Sequence, residues 1–195
     1  LLVDGGDRAW DVAAIATSAA FMALAGALLI GDLSHPARFY TIFLRPRWGS
    51  WLVRGAFLIA SFSLLLAAAF AAALAEAGSL LDVLRGAGVV LAMATVVYTA
   101  FLFRQSKGRD MWQDAFLPWH TLVKGVAGGA GALAVLTLAS DLLGDPLTAL
   151  QLTLGSSAAL HVVMTVAREL VPRRSAAARV AAHNMTRGQW ALHFW

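Results

Sequence analysis

Residues 12–31 read VAAIATSAAFMALAGALLIG, a run without a single charge. The chain then breaks into Gly31-Asp32-Leu33-Ser34-His35-Pro36-Ala37-Arg38-Phe39 and continues to Trp48-Gly49-Ser50-Trp51 before a second apolar run begins. A helix needs roughly 20 mostly apolar residues to cross the hydrocarbon layer of a bilayer. The first run meets that length, so the polar knot after it reads as a connector at a membrane surface. Pro36 and Pro46 keep this connector from continuing the helix. Phe39, Tyr40, Phe43, Trp48 and Trp51 suit a headgroup-level aromatic belt.

Outward from this stretch the same pattern recurs. Of the 195 residues, 59% are hydrophobic and 13% charged, and the mean hydropathy is +0.71. Soluble domains carry about a quarter charged residues, which excludes that class here. Further uncharged segments cover 55–75, 86–103, 125–140 and 146–167. They are solid Ala/Leu/Val/Gly runs without β-barrel alternation. The expected fold is therefore all-α and integral to the membrane, with five transmembrane helices near 10–30, 50–76, 84–104, 116–140 and 146–170. A basic surface segment at 173–188 follows, then the start of a further helix at 189–195. Gly125 and Gly129 form a small-xxx-small pair that allows close helix contact. The chain opens at Leu1-Leu2-Val3 and stops within Gln189-Trp190-Ala191-Leu192-His193-Phe194-Trp195, so it is expected to be a segment of a longer bundle.

The charges are not evenly spread. Of the 15 Lys and Arg residues, 13 fall on the connector's side of the expected bundle, and only Arg8 and Arg85 fall on the other. Asp4, Asp7, Asp11, Glu76, Asp82, Asp141 and Asp145 show the reverse tendency. By the positive-inside rule the connector side is expected to be cytoplasmic. That rule also accounts for the sequence pI near 10.3 without nucleic acid as a partner. The basic rim equally suits a docked acidic subunit. With no cysteine, the chain cannot ligate its own thiolate iron–sulfur cluster, and no Cys/His metal cluster or phosphate-binding Gly-rich loop is present.

Ionisable residues in or at the ends of membrane helices are costly and generally have a partner or a task. Asp32, His35 and Arg38 follow the first span. Either Asp32 is salt-bridged to Arg38 or Arg54, or Asp32 and His35 accept protons beside a quinol head group, whose redox step moves two protons with its two electrons. His120 and Lys124 lie one turn apart on the fourth span. Tyr98 and Trp119 belong to the same membrane level if the third and fourth spans form a hairpin, and their rings would line an apolar pocket beside His120. Lys124 reads as a snorkelling residue. His161 lies well inside the fifth span, followed by Arg168 and Glu169. His161 and Glu169 are candidates for a proton path, with Glu169 paired to Arg173 or Arg54. His120 and His161 are the one obvious intramembrane histidine pair. A bis-histidine haem would need both, though spacing alone does not pair them.

Several of these residues together resemble a known family. Gly31 to Phe39, then Leu44-Arg45-Pro46 and Ser50-Trp51-Leu52-Val53-Arg54-Gly55-Ala56, resemble the "DLGxPxRF … LRP … SWxxxGA" signature of the NrfD/polysulfide-reductase membrane-subunit family. Tyr98-Thr99-Ala100-Phe101-Leu102 and Leu117-Pro118 resemble its "YTGxLL … LP" hairpin. Departures are Ser34, His35, Ala100, His120 and Lys124. The resemblance implies part of a larger helical bundle in the inner membrane that binds a quinone (menaquinone or ubiquinone), with no haem of its own. It implies docking on a ferredoxin-like iron–sulfur subunit that relays electrons to or from a molybdopterin catalytic subunit or a cytochrome. The quinone head is then expected near Asp32, with Arg38, Tyr98, Trp119 and His120 as pocket residues. The chain would be non-catalytic alone. The alternatives are a non-redox membrane anchor or transporter component, and a cytochrome b-like haem subunit.

Overall fold

A computed structural model describes residues 8–105, 110–139, 147–170 and 176–194. Five long helices account for most of it: α1 Arg8–Gly31, α2 Trp51–Leu74, α3 Gly78–Arg104, α4 Leu117–Ala139 and α5 Leu147–Leu170. All five are long and apolar enough to cross a membrane. A shorter helix, α6 Ala176–Thr186, and one terminal turn, Ala191–Phe194, follow. No strand occurs among the described residues. With no water in the bilayer core, backbone polar groups must be satisfied within each span, and helices do this alone.

The helices pack mainly on their sequence neighbours: α1 on α2, α2 on α3, α3 on α4 and α4 on α5. This up-and-down order puts the C-terminus of α1, the N-terminus of α2, the C-terminus of α3, the N-terminus of α4 and the C-terminus of α5 at one end. α1 also reaches α4 at the opposite end, where Trp10 is 2% exposed and packs with Ala14, Ala134 and Leu150. The Trp10 indole N–H points at Thr137 Oγ1, 3.5 Å away.

The α2–α3 hairpin is the best enclosed part of the molecule. Phe62, Leu66, Ala69, Ala72 and Ala73 of α2 meet Ile15 of α1 and Leu81 of α3 in its core. Alanines on α2 let these helices approach closely, which is the main source of association in lipid, where burial of apolar surface gives little. Elsewhere large apolar side chains such as Leu28, Leu64, Val90, Val135 and Leu152 face outward.

The turn between α2 and α3 departs from the expectation that α3 begins near 84. The helix begins at Gly78 and carries Asp82 and Arg85 inside its first two turns. These charges are compatible with a span because Arg85 ion-pairs with Asp11 of α1 and with Asp82. At the end of α2, Glu76 takes φ 55°, a left-handed conformation usually left to glycine. The Ala77 N–H reaches Ala72 O (3.0 Å) and the Glu76 N–H reaches Ala73 O (3.4 Å), a Schellman closure. The Glu76 carboxylate then pairs with Arg8 of α1, so the turn and the first helix are tied together.

The glycines of α4 divide. A Cβ on Gly125 would meet Val96 Cγ1 at 2.9 Å, so this glycine does set the α3–α4 approach, but a Cβ on Gly129 meets nothing within 4 Å. The expected small-xxx-small contact is thus confined to one turn, beyond which Gly131 lies near Leu154 of α5 instead. The segment expected at 173–188 contributes α6, which touches the turn Asp110–Gln113. Residues 106–109, 140–146 and 171–175 lie outside the described residues.

Candidate functional site

The connector leaves α1 through the bonds Asp32 N–H to Leu28 O and Leu33 N–H to Ile30 O, then makes a 3-10 turn at Pro36–Arg38 and a single helical turn at Thr41–Leu44. Proline at the first position of the 3-10 turn costs no hydrogen bond there. Phe39, Phe43, Phe57 and Trp48 form a chain of ring contacts at 5.5, 5.1 and 4.7 Å between centroids, pinning the connector to α2.

This fold leaves an open groove of about 270 Å³ lined by Leu33, Ser34, His35, Arg38, Phe39 and Ile42. Its walls combine apolar side chains with a hydroxyl, an imidazole and a guanidinium. Asp32, His35 and Arg38 are all exposed. The expected Asp32 salt bridge is not formed: among the described residues no ion pair engages Asp32. Arg54 is occupied elsewhere, because its Nε–H donates to Trp48 O at 2.7 Å and its guanidinium lies 4.7 Å from the Trp51 ring centre. Arg54 therefore braces the connector from α2 and does not reach back to α1.

The stretches that carried the family resemblance meet in space. Trp51 stacks on Phe101 with ring centres 4.4 Å apart. The Tyr98 ring lies over Gly55, where an added Cβ would come within 2.1 Å of Cε2. Two motifs more than forty residues apart thus form one seam between α2 and α3. The same packing separates Tyr98 from the pocket expected around His120. Tyr98 is buried against α2, while the α3 face toward α4 is carried by Val96. Trp119 is 62% exposed and His120 is 6% exposed. Neighbouring helical positions point about 100° apart, so the two rings cannot share one pocket wall.

A second group forms where α4 meets α5. His120 Nδ1 and His161 Nδ1 are 3.4 Å apart, with the rings nearly perpendicular and their centres 5.3 Å apart. Asp114, just before α4, accepts the Phe116 N–H at Oδ1 (2.8 Å) and ion-pairs through Oδ2 with Arg168 of α5. The expected pairing of Glu169 with Arg173 or Arg54 is a separate matter. Arg54 is held by the connector, while the Glu169 side chain and Arg173 lie outside the described residues. The signal for the observed pair was present in the sequence. His161 and Arg168 are seven residues apart and share a helix face, and Asp114 stands just ahead of a helix start marked by Pro118. Lys124 is exposed on α4. Two buried polar atoms here and on α3, His120 Nε2 and Thr95 Oγ1, have no hydrogen-bond partner.

Among the described residues, then, the chain is a multi-pass helical membrane protein with a titratable connector and a paired-histidine site toward the same end. The family described as polysulphide reductase, NrfD, matches residues 7–195. The chain belongs to that family, whose members are membrane subunits of respiratory oxidoreductases and work with other redox subunits. No curated protein and no solved structure matches it.

Proposed function

We propose that this chain is the quinone- or quinol-interacting membrane anchor of a respiratory oxidoreductase, exchanging electrons with a ferredoxin-like iron–sulfur partner. The observation that carries the proposal is the connector groove in a chain of this family. It offers apolar walls for a ring, from Leu33, Phe39 and Ile42, beside His35 and Arg38, and the exposed Asp32 directly precedes its first lining residue in the chain. A quinol must lose two protons as it gives up two electrons, and Asp32 and His35 are the acceptors at hand. Arg38 supplies a donor for a carbonyl oxygen. Tyr98, Trp119 and His120 do not converge on this groove and are left out of the contact set.

The chain's own residues bind and orient the head group and take its protons. The electrons pass to the partner, which with a molybdopterin subunit or a cytochrome completes the enzyme. The quinone type is menaquinone or ubiquinone.

The test uses the purified whole complex. Quinone should be extractable from it, and Asp32→Asn should lower quinol-dependent turnover roughly 100-fold, the low end of what a general base contributes, with complex assembly unchanged. No bound quinone together with full activity in the variant would overturn the assignment.

The proposed location is the cytoplasmic membrane, with the connector end inside, because the sequence assigns 13 of the 15 basic residues to segments expected on that side. The chain has no native cysteine, so engineered thiols report cleanly. In intact cells, Ser79→Cys should react with an impermeant maleimide and Ser34→Cys should not. The opposite pattern would reverse the orientation.

A further inference from the structure

We propose that His120 and His161 form one proton-binding site within the bundle, taking up a single proton that the two Nδ1 atoms share and that enters or leaves through Nε2 of His120. The geometry restricts the tautomers. With Nδ1 atoms 3.4 Å apart, one ring must carry its proton on Nδ1 and donate, and the other must accept with a bare Nδ1. If His120 is the donor, its Nε2 is an unprotonated acceptor. That atom is buried and unpartnered in a residue only 6% exposed, a costly arrangement unless the atom is used.

Protonation at His120 Nε2 makes His120 a cation that still donates from Nδ1. Transfer of that Nδ1 proton to His161 Nδ1 moves the charge to α5 and leaves His120 neutral, with its proton now on Nε2. One proton enters, one N–H bond forms, and the charge crosses from α4 to α5 without either ring leaving its place. A second proton is excluded, because two imidazolium ions in contact repel strongly at short range in a poorly solvated site.

The charged groups around the pair are of both signs. Burial and the cations of Arg168 and Lys124 oppose an added charge, while the Asp114 carboxylate, ion-paired to Arg168, favours one. The α4–α5 hairpin is the most closely joined helix pair, together with α2–α3, so the two rings are held by packing. This site is distinct from the connector groove, whose lining residues, Leu33 to Ile42, include none from α4 or α5.

The test is ¹⁵N-histidine NMR of the whole protein in lipid vesicles, titrated across roughly pH 5 to 8, where imidazoles ordinarily change charge. The wild type is expected to show a nitrogen–nitrogen coupling between His120 and His161, and one step in which both residues' signals move together with uptake of one proton. Asp114→Asn should move that step to lower pH by about one unit, since it removes the nearby anion. Two independent steps, absence of the coupling, or uptake of two protons would overturn the proposal. The wild-type titration decides the matter even where a variant fails to fold. It also reads independently of quinone content, so failure of the quinone assignment and failure of this site are told apart.

Discussion

Gly55 shows how a single position can explain a motif. The Tyr98 ring occupies the volume that a side chain at residue 55 would need, with a Cβ coming within 2.1 Å of the ring. Gly55→Ala should therefore destabilise the α2–α3 pair by roughly 1–3 kcal/mol, the usual cost of overpacking. Combined with Tyr98→Ala it should cost less than the sum of the two single losses, and thermal unfolding in detergent would measure all three. Independent, additive losses would show that the two residues do not meet. Sequence reading placed both residues in the resemblance but gave Tyr98 to a pocket. Hydropathy and spacing show which residues share a membrane level and do not show which face of α3 looks toward which neighbour. The same limit applies to Trp119, whose direction away from His120 follows from its helix phase once α4 is fixed against α5.

At the scale of elements, the helix boundaries were legible wherever an apolar run ended at proline or a charge cluster. Pro118 in the first turn of α4 and the Pro36 turn fall where such residues belong. The start of α3 was not legible, because Asp82 and Arg85 look like loop charges until Asp11 of another helix is seen beside them. The Arg85–Asp11 pair is mostly enclosed, with side-chain exposures of 17% and 16%. Breaking a buried pair leaves one charge uncompensated, at a cost of about 3 kcal/mol or more. Arg85→Gln should accordingly loosen α1 from the α2–α3 hairpin, seen as faster proteolysis near the N-terminal end. Asp11→Leu combined with Arg85→Leu should restore most of the protection. If Arg85→Gln alone changes nothing, the pair is not a brace.

At the scale of the whole molecule, the α-helical class and the five candidate spans were readable from composition and charge. The pairing of α4 with α5 through histidines was not, since His120 and His161 are 41 positions apart and nothing in either local sequence selects the other. The connector was the sharpest feature of the sequence and remains the centre of the account. It holds an open groove that follows directly on the exposed Asp32; Arg38 lines that groove, while Arg54 of α2 braces the connector from outside. The most direct test is photolabelling of the intact complex with an azido-quinone, followed by mass spectrometry of the modified peptides. The account predicts label on residues 32–42, displaced by excess unmodified quinone. Label confined to other subunits, or to α4 and α5 of this chain, would contradict it.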